Sequence, residues 1–70
     1  MKYRYFALSS LTYAYKAQDA FDRAGIKSKV IRLSGRETEK GCRYGVQVHD
    51  NDYTDAKRIL YSANLPFNEP

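Results

Sequence analysis

Apolar residues recur along this chain with two periods, one typical of helices and one typical of strands. After Ser9 and Ser10, either of which can cap a helix, a single apolar stripe repeats at spacings of three and four residues. The stripe consists of Leu11, Ala14, Ala17, Phe21 and Ala24. Gly25 suits the left-handed position that follows a helix. The pattern therefore predicts a first helix that ends just before Gly25.

A second helical stripe lies nearer the C-terminus. Its apolar residues are Tyr53, Ala56, Leu60 and Ala63, with Ile59 beside them. Asn51 or Asp52 can cap its start. Asn64 can adopt the left-handed conformation at its end, and Pro66 prevents its continuation. We therefore predict a second helix between these signals.

Three segments predict strands, namely residues 2–9, 26–33 and 42–49. The third alternates most clearly: Cys42, Tyr44, Val46 and Val48 should face the helices, and Arg43, Gly45, Gln47 and His49 should face solvent or a partner. Residues 34–41 are polar and bounded by glycine, so they predict a surface loop. Leu65 and Phe67 either form a short last strand or pack onto the core.

The order β-α-β-β-α, with room for a short final strand, predicts one α+β domain over residues 1–70. Each helix has only one apolar stripe, so both must cover one face of a small sheet. A ferredoxin-like two-layer sandwich satisfies this requirement. The length, 70 residues, excludes a doubly wound nucleotide-binding fold, which needs several larger units.

Composition narrows the chemistry further. The formal charge of +4 permits an anionic partner without identifying one. A single cysteine excludes an internal disulfide and a cysteine-rich zinc site, and the lone His49 has no clustered ligands, so we expect neither a metal nor a cofactor. With no phosphate-binding loop, nucleophile elbow or carboxylate pair, we do not expect a stand-alone enzyme. Neither a secretory signal nor a membrane-spanning run is visible, so a cytoplasmic location is expected.

Cys42 is the residue best suited to distinctive chemistry. Arg36, Lys40 and Arg43 lie within six positions of it, and nearby cations favour the nucleophilic thiolate. Gly41 has no side chain to block the approach of a partner. A lone thiol in such surroundings suits a persulfide or selenide better than disulfide reduction, which needs a second cysteine.

Other interpretations of these residues remain open. Cys42 shares its side of the strand with valines expected in the core, where free cysteines often only fill space. The polar face of the third strand has no predicted cover and suits a second copy or another partner. The sequence has seven tyrosines, and Tyr3, Tyr5 and Tyr44 could meet on adjacent strands, as aromatics do in RNA-binding sheets. Tyrosines at the edge of a core, with wet hydroxyls, are the commoner arrangement.

Residues 33–48, with the sequence LSGRETEKGCRYGVQV, resemble the signature of the selenium/sulfur carrier-like family of small bacterial proteins. The matching features are the Arg36-Glu37 pair, a single cysteine that opens the third strand, and the apolar segment after it. An Ala-Gly-Ile turn at residues 24–26 also matches. The chain departs from the family where Arg43 replaces a glycine, Gly35 a proline, and Glu39-Lys40 a serine-rich stretch. The resemblance implies a βαββα plan and a carrier role for the cysteine.

We therefore expect a small carrier that holds sulfur or selenium on Cys42, with donor and acceptor proteins as partners. Arg36, Lys40 and Arg43 would stabilise the anion, and Gly41 would keep the approach clear. A non-catalytic interaction or homodimerisation module, in which the cysteine is structural, is the alternative. Nucleic-acid binding is a third and more distant one.

Overall fold

Three strands and two helices make up the part of the chain that the structure describes. In the computed structural model, which describes residues 2–33 and 43–69, the elements are β1 (Tyr3–Leu8), α1 (Leu11–Arg23), β2 (Ser28–Arg32), β3 (Tyr44–His49) and α2 (Tyr53–Ser62). A 3₁₀ turn, Asp50–Asp52, joins β3 to α2. β2 begins later than predicted because Ile26 still belongs to the end of α1, where its N–H donates to the Phe21 carbonyl at 2.9 Å.

Both predicted end signals of α1 are confirmed. The Ser10 hydroxyl accepts a hydrogen bond from the N–H of Tyr13 at 3.1 Å, which satisfies one of the donors left open at a helix start. Gly25 has a φ of 78°, the left-handed conformation that a residue without Cβ adopts readily. Ala14, Ala17 and Phe21 form the buried stripe of the helix.

The second helix begins after the predicted cap residue Asp52 and ends as predicted. Asn64 has a φ of 57° and closes the helix in the left-handed conformation. At the start, Asp52 occupies the cap position without a side-chain hydrogen bond. The imidazole Nδ1 of His49 instead accepts the N–H of Asn51 at 3.1 Å and caps the 3₁₀ turn. Within the described chain, neither helix is both long and apolar enough to cross a membrane.

The three described strands form one antiparallel sheet in the order β1-β3-β2. β3 lies in the middle, with Phe6 and Val30 opposite Val46 on its two sides. The short last strand is reduced to one bridge, in which Asn68 and Ala7 exchange two backbone hydrogen bonds of 2.8 Å. The structure thus confirms an α+β class with two helices on three antiparallel strands.

One face of this sheet and both helices enclose the main core. Its buried members are Phe6, Leu8, Val46 and Val48 from the strands, Ala14, Ala17, Phe21 and Ile26 from α1 and its end, and Tyr53, Ala56 and Leu60 from α2. Phe6 is central, because its ring packs parallel to Tyr53 at 4.5 Å and against Phe67 at 5.2 Å between centroids. The helical stripes therefore cover the same side of the sheet.

Candidate functional site

The structure describes only one of the predicted site residues. Arg36, Lys40, Gly41 and Cys42 lie outside the described residues. Arg43 is described, is exposed, and directly precedes β3. Its carbonyl accepts the N–H of Leu33 at 2.8 Å, so the sheet's hydrogen bonding reaches the residue bonded to Cys42.

The sheet face turned away from the helices is a second surface of interest, which we call the open face. The strand register assigns to it Tyr3, Tyr5, Ala7, Lys29, Ile31, Gly45, Gln47 and His49. Neither of the described helices covers these residues, since both pack on the opposite side. Among the described residues, the exposed members of the open face are Tyr3 and Lys29.

The centre of the open face is apolar and closely packed. Ala7 and Leu33 are only 5% and 3% exposed, and Tyr5 and Ile31 pack against them. A Cβ on Gly45 would lie 3.1 Å from Ile31 Cγ1 and 3.2 Å from Tyr5 Cδ2, so these side chains close over the glycine. Gly45 faces away from the helices, as predicted, but its neighbours bury it.

An aromatic pair occupies one end of the open face. Tyr3 lies opposite His49 in the β1–β3 register, and their rings meet edge to face with centroids 5.7 Å apart. His49 Nδ1 accepts the N–H of Asn51, which fixes the orientation of the ring. Tyr3 remains 56% exposed. Sequence reasoning missed this pair, because only the register brings the two residues together.

Tyr44 faces the helices, as predicted, so it does not join the other tyrosines of the sheet, an arrangement that the sequence left open. It pairs with Leu8 and packs against the main core on the helix side. Tyr3 and Tyr5 lie on the opposite face, since side chains alternate along a strand. The aromatic surface of the sheet therefore consists of Tyr3, Tyr5 and His49.

A cleft of about 680 Å³ adjoins the aromatic pair. Its lining residues are Tyr3, Gly25, Lys27, Ser28, Lys29, Gln47, Val48, His49 and Asp52. Four of these residues belong to the open face. Lys27 lies between α1 and β2 and extends the cleft toward the end of α1. The cleft thus combines aromatic, amide and cationic side chains with one carboxylate.

Ion pairs hold some of the described cations and leave others, on both sides of the sheet, without a carboxylate partner. Four ion pairs occur among the described residues: Arg23–Asp19 at 3.1 Å, Arg58–Asp55 at 3.7 Å, Lys57–Glu69 at 3.0 Å and Arg4–Asp50 at 4.0 Å. The first two confirm pairings that helical spacing predicts. Lys27, Lys29 and Arg43 take part in none of them, so the unpaired cations include those on and beside the open face.

A separate polar cluster on the helix side fixes the C-terminal segment. The Tyr53 hydroxyl donates to Glu69 Oε1 at 2.6 Å, and Lys57 lies 3.0 Å from the same oxygen. Burial, followed by the bond to this carboxylate, raises the pKa of Tyr53. Hydrogen bonds from Tyr53 and Lys57 lower the pKa of Glu69. The cluster stabilises the protonated phenol, so it is suited to holding structure and not to nucleophilic chemistry.

Within residues 2–33 and 43–69, no three His, Cys, Asp or Glu side chains gather as a metal site would require.

No protein-family model matches the chain, and no curated protein or solved structure matches it significantly. Its own residues therefore supply the evidence for its function.

Proposed function

We propose that the protein is a small carrier that holds sulfur or selenium on Cys42 as a persulfide-type adduct and passes it to a partner protein. The observation that carries this proposal is a lone cysteine between Gly41 and Arg43, with Arg36 and Lys40 nearby in sequence. Cations near a thiol favour the thiolate and stabilise the anionic adduct. Glycine before the thiol leaves room for a donor to approach.

The fold supports this role by giving the cysteine a rigid neighbour. Arg43, the next residue, is hydrogen-bonded to Leu33 where β2 and β3 meet. β3 is the middle strand, paired on both sides. We assign the arrangement to the ferredoxin-like class, with which the β1-β3-β2 order and the Asn68 bridge beside β1 agree.

The proposed transfer is a pair of thiol–disulfide-type exchanges. The Cys42 thiolate attacks the outer sulfur of a persulfide on a donor enzyme, and the donor's S–S bond breaks as its cysteine leaves as a thiolate. The adduct on Cys42 is then attacked at its outer sulfur by a nucleophile of the acceptor, and Cys42 leaves as a thiolate. Each step exchanges one S–S bond for another, or for the bond to the acceptor, and no external oxidant is required.

Sulfur loading can be measured directly. Incubation with a cysteine desulfurase and cysteine, followed by intact mass spectrometry, should add one sulfur atom per chain, and a thiol reductant should remove it. The Cys42→Ser variant should remain unmodified. An unmodified wild type, or equal modification of the variant, would contradict the proposal.

A matched pair of variants tests whether Arg43 contributes to the reactivity of the Cys42 thiol. Arg43→Gln should slow loading severalfold at neutral pH, because it removes a charge that favours the thiolate. Lys16→Gln removes an exposed cation from α1 and should leave the loading rate unchanged. Equal rates for wild type and Arg43→Gln would show that Arg43 does not act on the thiol.

A further inference from the structure

We propose that the open face binds a single-stranded nucleic acid, a function independent of sulfur transfer. Such ligands are bound by surfaces that combine rings for base stacking with cations for the phosphates. The open face and its cleft combine both kinds of group on one side of the molecule. The helix side, in contrast, has most of its rings in the core.

The aromatic pair supplies the stacking surface. Tyr3 is 56% exposed at the end of the sheet. The rings of the main core, by contrast, pack against one another and are not accessible to a base. His49 supports Tyr3 edge to face, and the hydrogen bond from Asn51 fixes the imidazole. A base can therefore stack on Tyr3 without rearrangement of the sheet. Stacking of this kind tolerates any base, because every base has a π-face.

The cations supply the attraction for phosphates. Lys27 and Lys29 are exposed, line the cleft beside Tyr3, and have no ion pair among the described residues. Arg43 is also exposed. It lies just before β3, at the end of that strand opposite to His49. Asp52 is the one carboxylate that lines the cleft in the described chain. The surface is thus complementary to a polyanion.

A second copy of the chain fits this face less well. A two-fold contact places the same patch against itself, so the cations Lys29 and Arg43 of one copy would face the same cationic patch of the other. Like charges opposed at an interface are unfavourable. The apolar centre offers little compensation, since Ala7 and Leu33 are already buried within the chain. An acidic protein would satisfy the cations but would not use the exposed ring of Tyr3.

The binding test compares residues that match in exposure and differ in position. A fluorescently labelled mixed-sequence RNA of about 12 nucleotides is titrated with protein, and anisotropy is measured between about 50 and about 200 mM salt. We expect saturable binding that weakens as salt rises. Tyr3→Ala should weaken it about tenfold. Tyr15→Ala should not, although Tyr15 on α1 is equally exposed, at 55% against 56%.

The salt dependence tests the phosphate contacts separately. Lys29→Gln should weaken binding and reduce the slope of log affinity against log salt by about 0.7, the loss of one phosphate contact to a single strand. Lys16→Gln on α1 should leave the slope unchanged. Cys42→Ser should bind RNA like the wild type, so RNA binding and sulfur loading can fail independently. Circular dichroism establishes that each variant is folded.

Three results would overturn the proposal. The first is the absence of saturable RNA binding, or equal effects of Tyr3→Ala and Tyr15→Ala. The second is competition by polyglutamate as strong as competition by unlabelled RNA, which would indicate an acidic protein as the partner. The third is a dimer, seen by light scattering, that Lys29→Gln dissociates or tightens, which would assign the open face to a second copy.

Discussion

At the scale of single residues, Tyr53 connects three parts of the molecule. Its ring packs parallel to Phe6 and under the Arg4 guanidinium, whose carbon lies 3.5 Å from the ring centroid. Its hydroxyl bonds Glu69 near the C-terminus. Because burial and this bond raise the pKa of Tyr53, the folded protein holds the phenolic proton more tightly than the unfolded chain does. The resulting stability is complete below the ordinary tyrosine pKa of about 10 and is lost as the pH rises toward the folded value.

Tyr53→Phe therefore has two expected effects on the free energy of unfolding. At neutral pH it should decrease by about 1 kcal/mol, because one hydrogen bond is lost while the ring remains. Between about pH 10 and about pH 12, the wild type should lose stability more steeply than the variant. Urea denaturation at each pH measures both effects. Tyr61→Phe, at a residue 65% exposed, is the control and should follow the wild type. Parallel wild-type and Tyr53→Phe curves would contradict this account.

At the scale of elements, the start of α1 depends on one hydroxyl. The Ser10 side chain accepts the N–H of Tyr13, and Ser10→Ala leaves that donor to water. We expect a loss of about 1 kcal/mol in unfolding free energy, and in a domain of this size a fall of roughly 4–8 °C in Tm. Ser9→Ala changes the adjacent serine, which is not the cap, and should stay within about 0.5 kcal/mol. Thermal melts that do not distinguish the two variants would rule out capping by Ser10.

The same helix shows which elements a sequence specifies locally. Ser10, the apolar spacing and Gly25 all act within a few residues of the helix, so both ends could be predicted. β2 has no such internal signals, and its limits depend on where β3 pairs with it. The start of α2 after Asp52 could be predicted, but the 3₁₀ turn before it and the capping of that turn by His49 could not, because this capping requires the bend of the turn and not only a suitable residue type.

Long-range pairing limits what the sequence can say about the sites. Cys42 and its basic neighbours could be named because they are adjacent in the chain. The pairing of Tyr3 with His49 could not, since it requires both the strand order and the antiparallel register. Tyr44 faces the helices, as the alternation along β3 predicts, whereas the register places Tyr3 on the other face, so the two tyrosines do not meet.

At the scale of the whole molecule, stability depends on a small core centred on Phe6. The ring contacts Phe21, Tyr53 and Phe67 and thereby joins β1 to both helices and the C-terminal segment. Replacing a buried phenylalanine by alanine costs about 3–5 kcal/mol, whereas small domains have only about 5–15 kcal/mol in total.

We therefore expect Phe6→Ala to be largely unfolded at 37 °C and Phe6→Leu to fold with reduced stability. Circular dichroism and urea denaturation measure both variants. Tyr15→Ala serves as the control, because it removes a ring that is mostly exposed. A cooperative transition of Phe6→Ala near the wild-type midpoint would show that the core can repack around the cavity.

The position of β2 at the outside of the sheet has one more consequence. No other strand pairs with its outer side within the described ranges, so its backbone could template the addition of a foreign strand. Exposed Lys29 and Arg32 discourage such growth, because an incoming chain would have to pass their charges. Loss of the Lys29 charge would weaken this protection, so this lysine serves the solubility of the chain as well as the surface beside it.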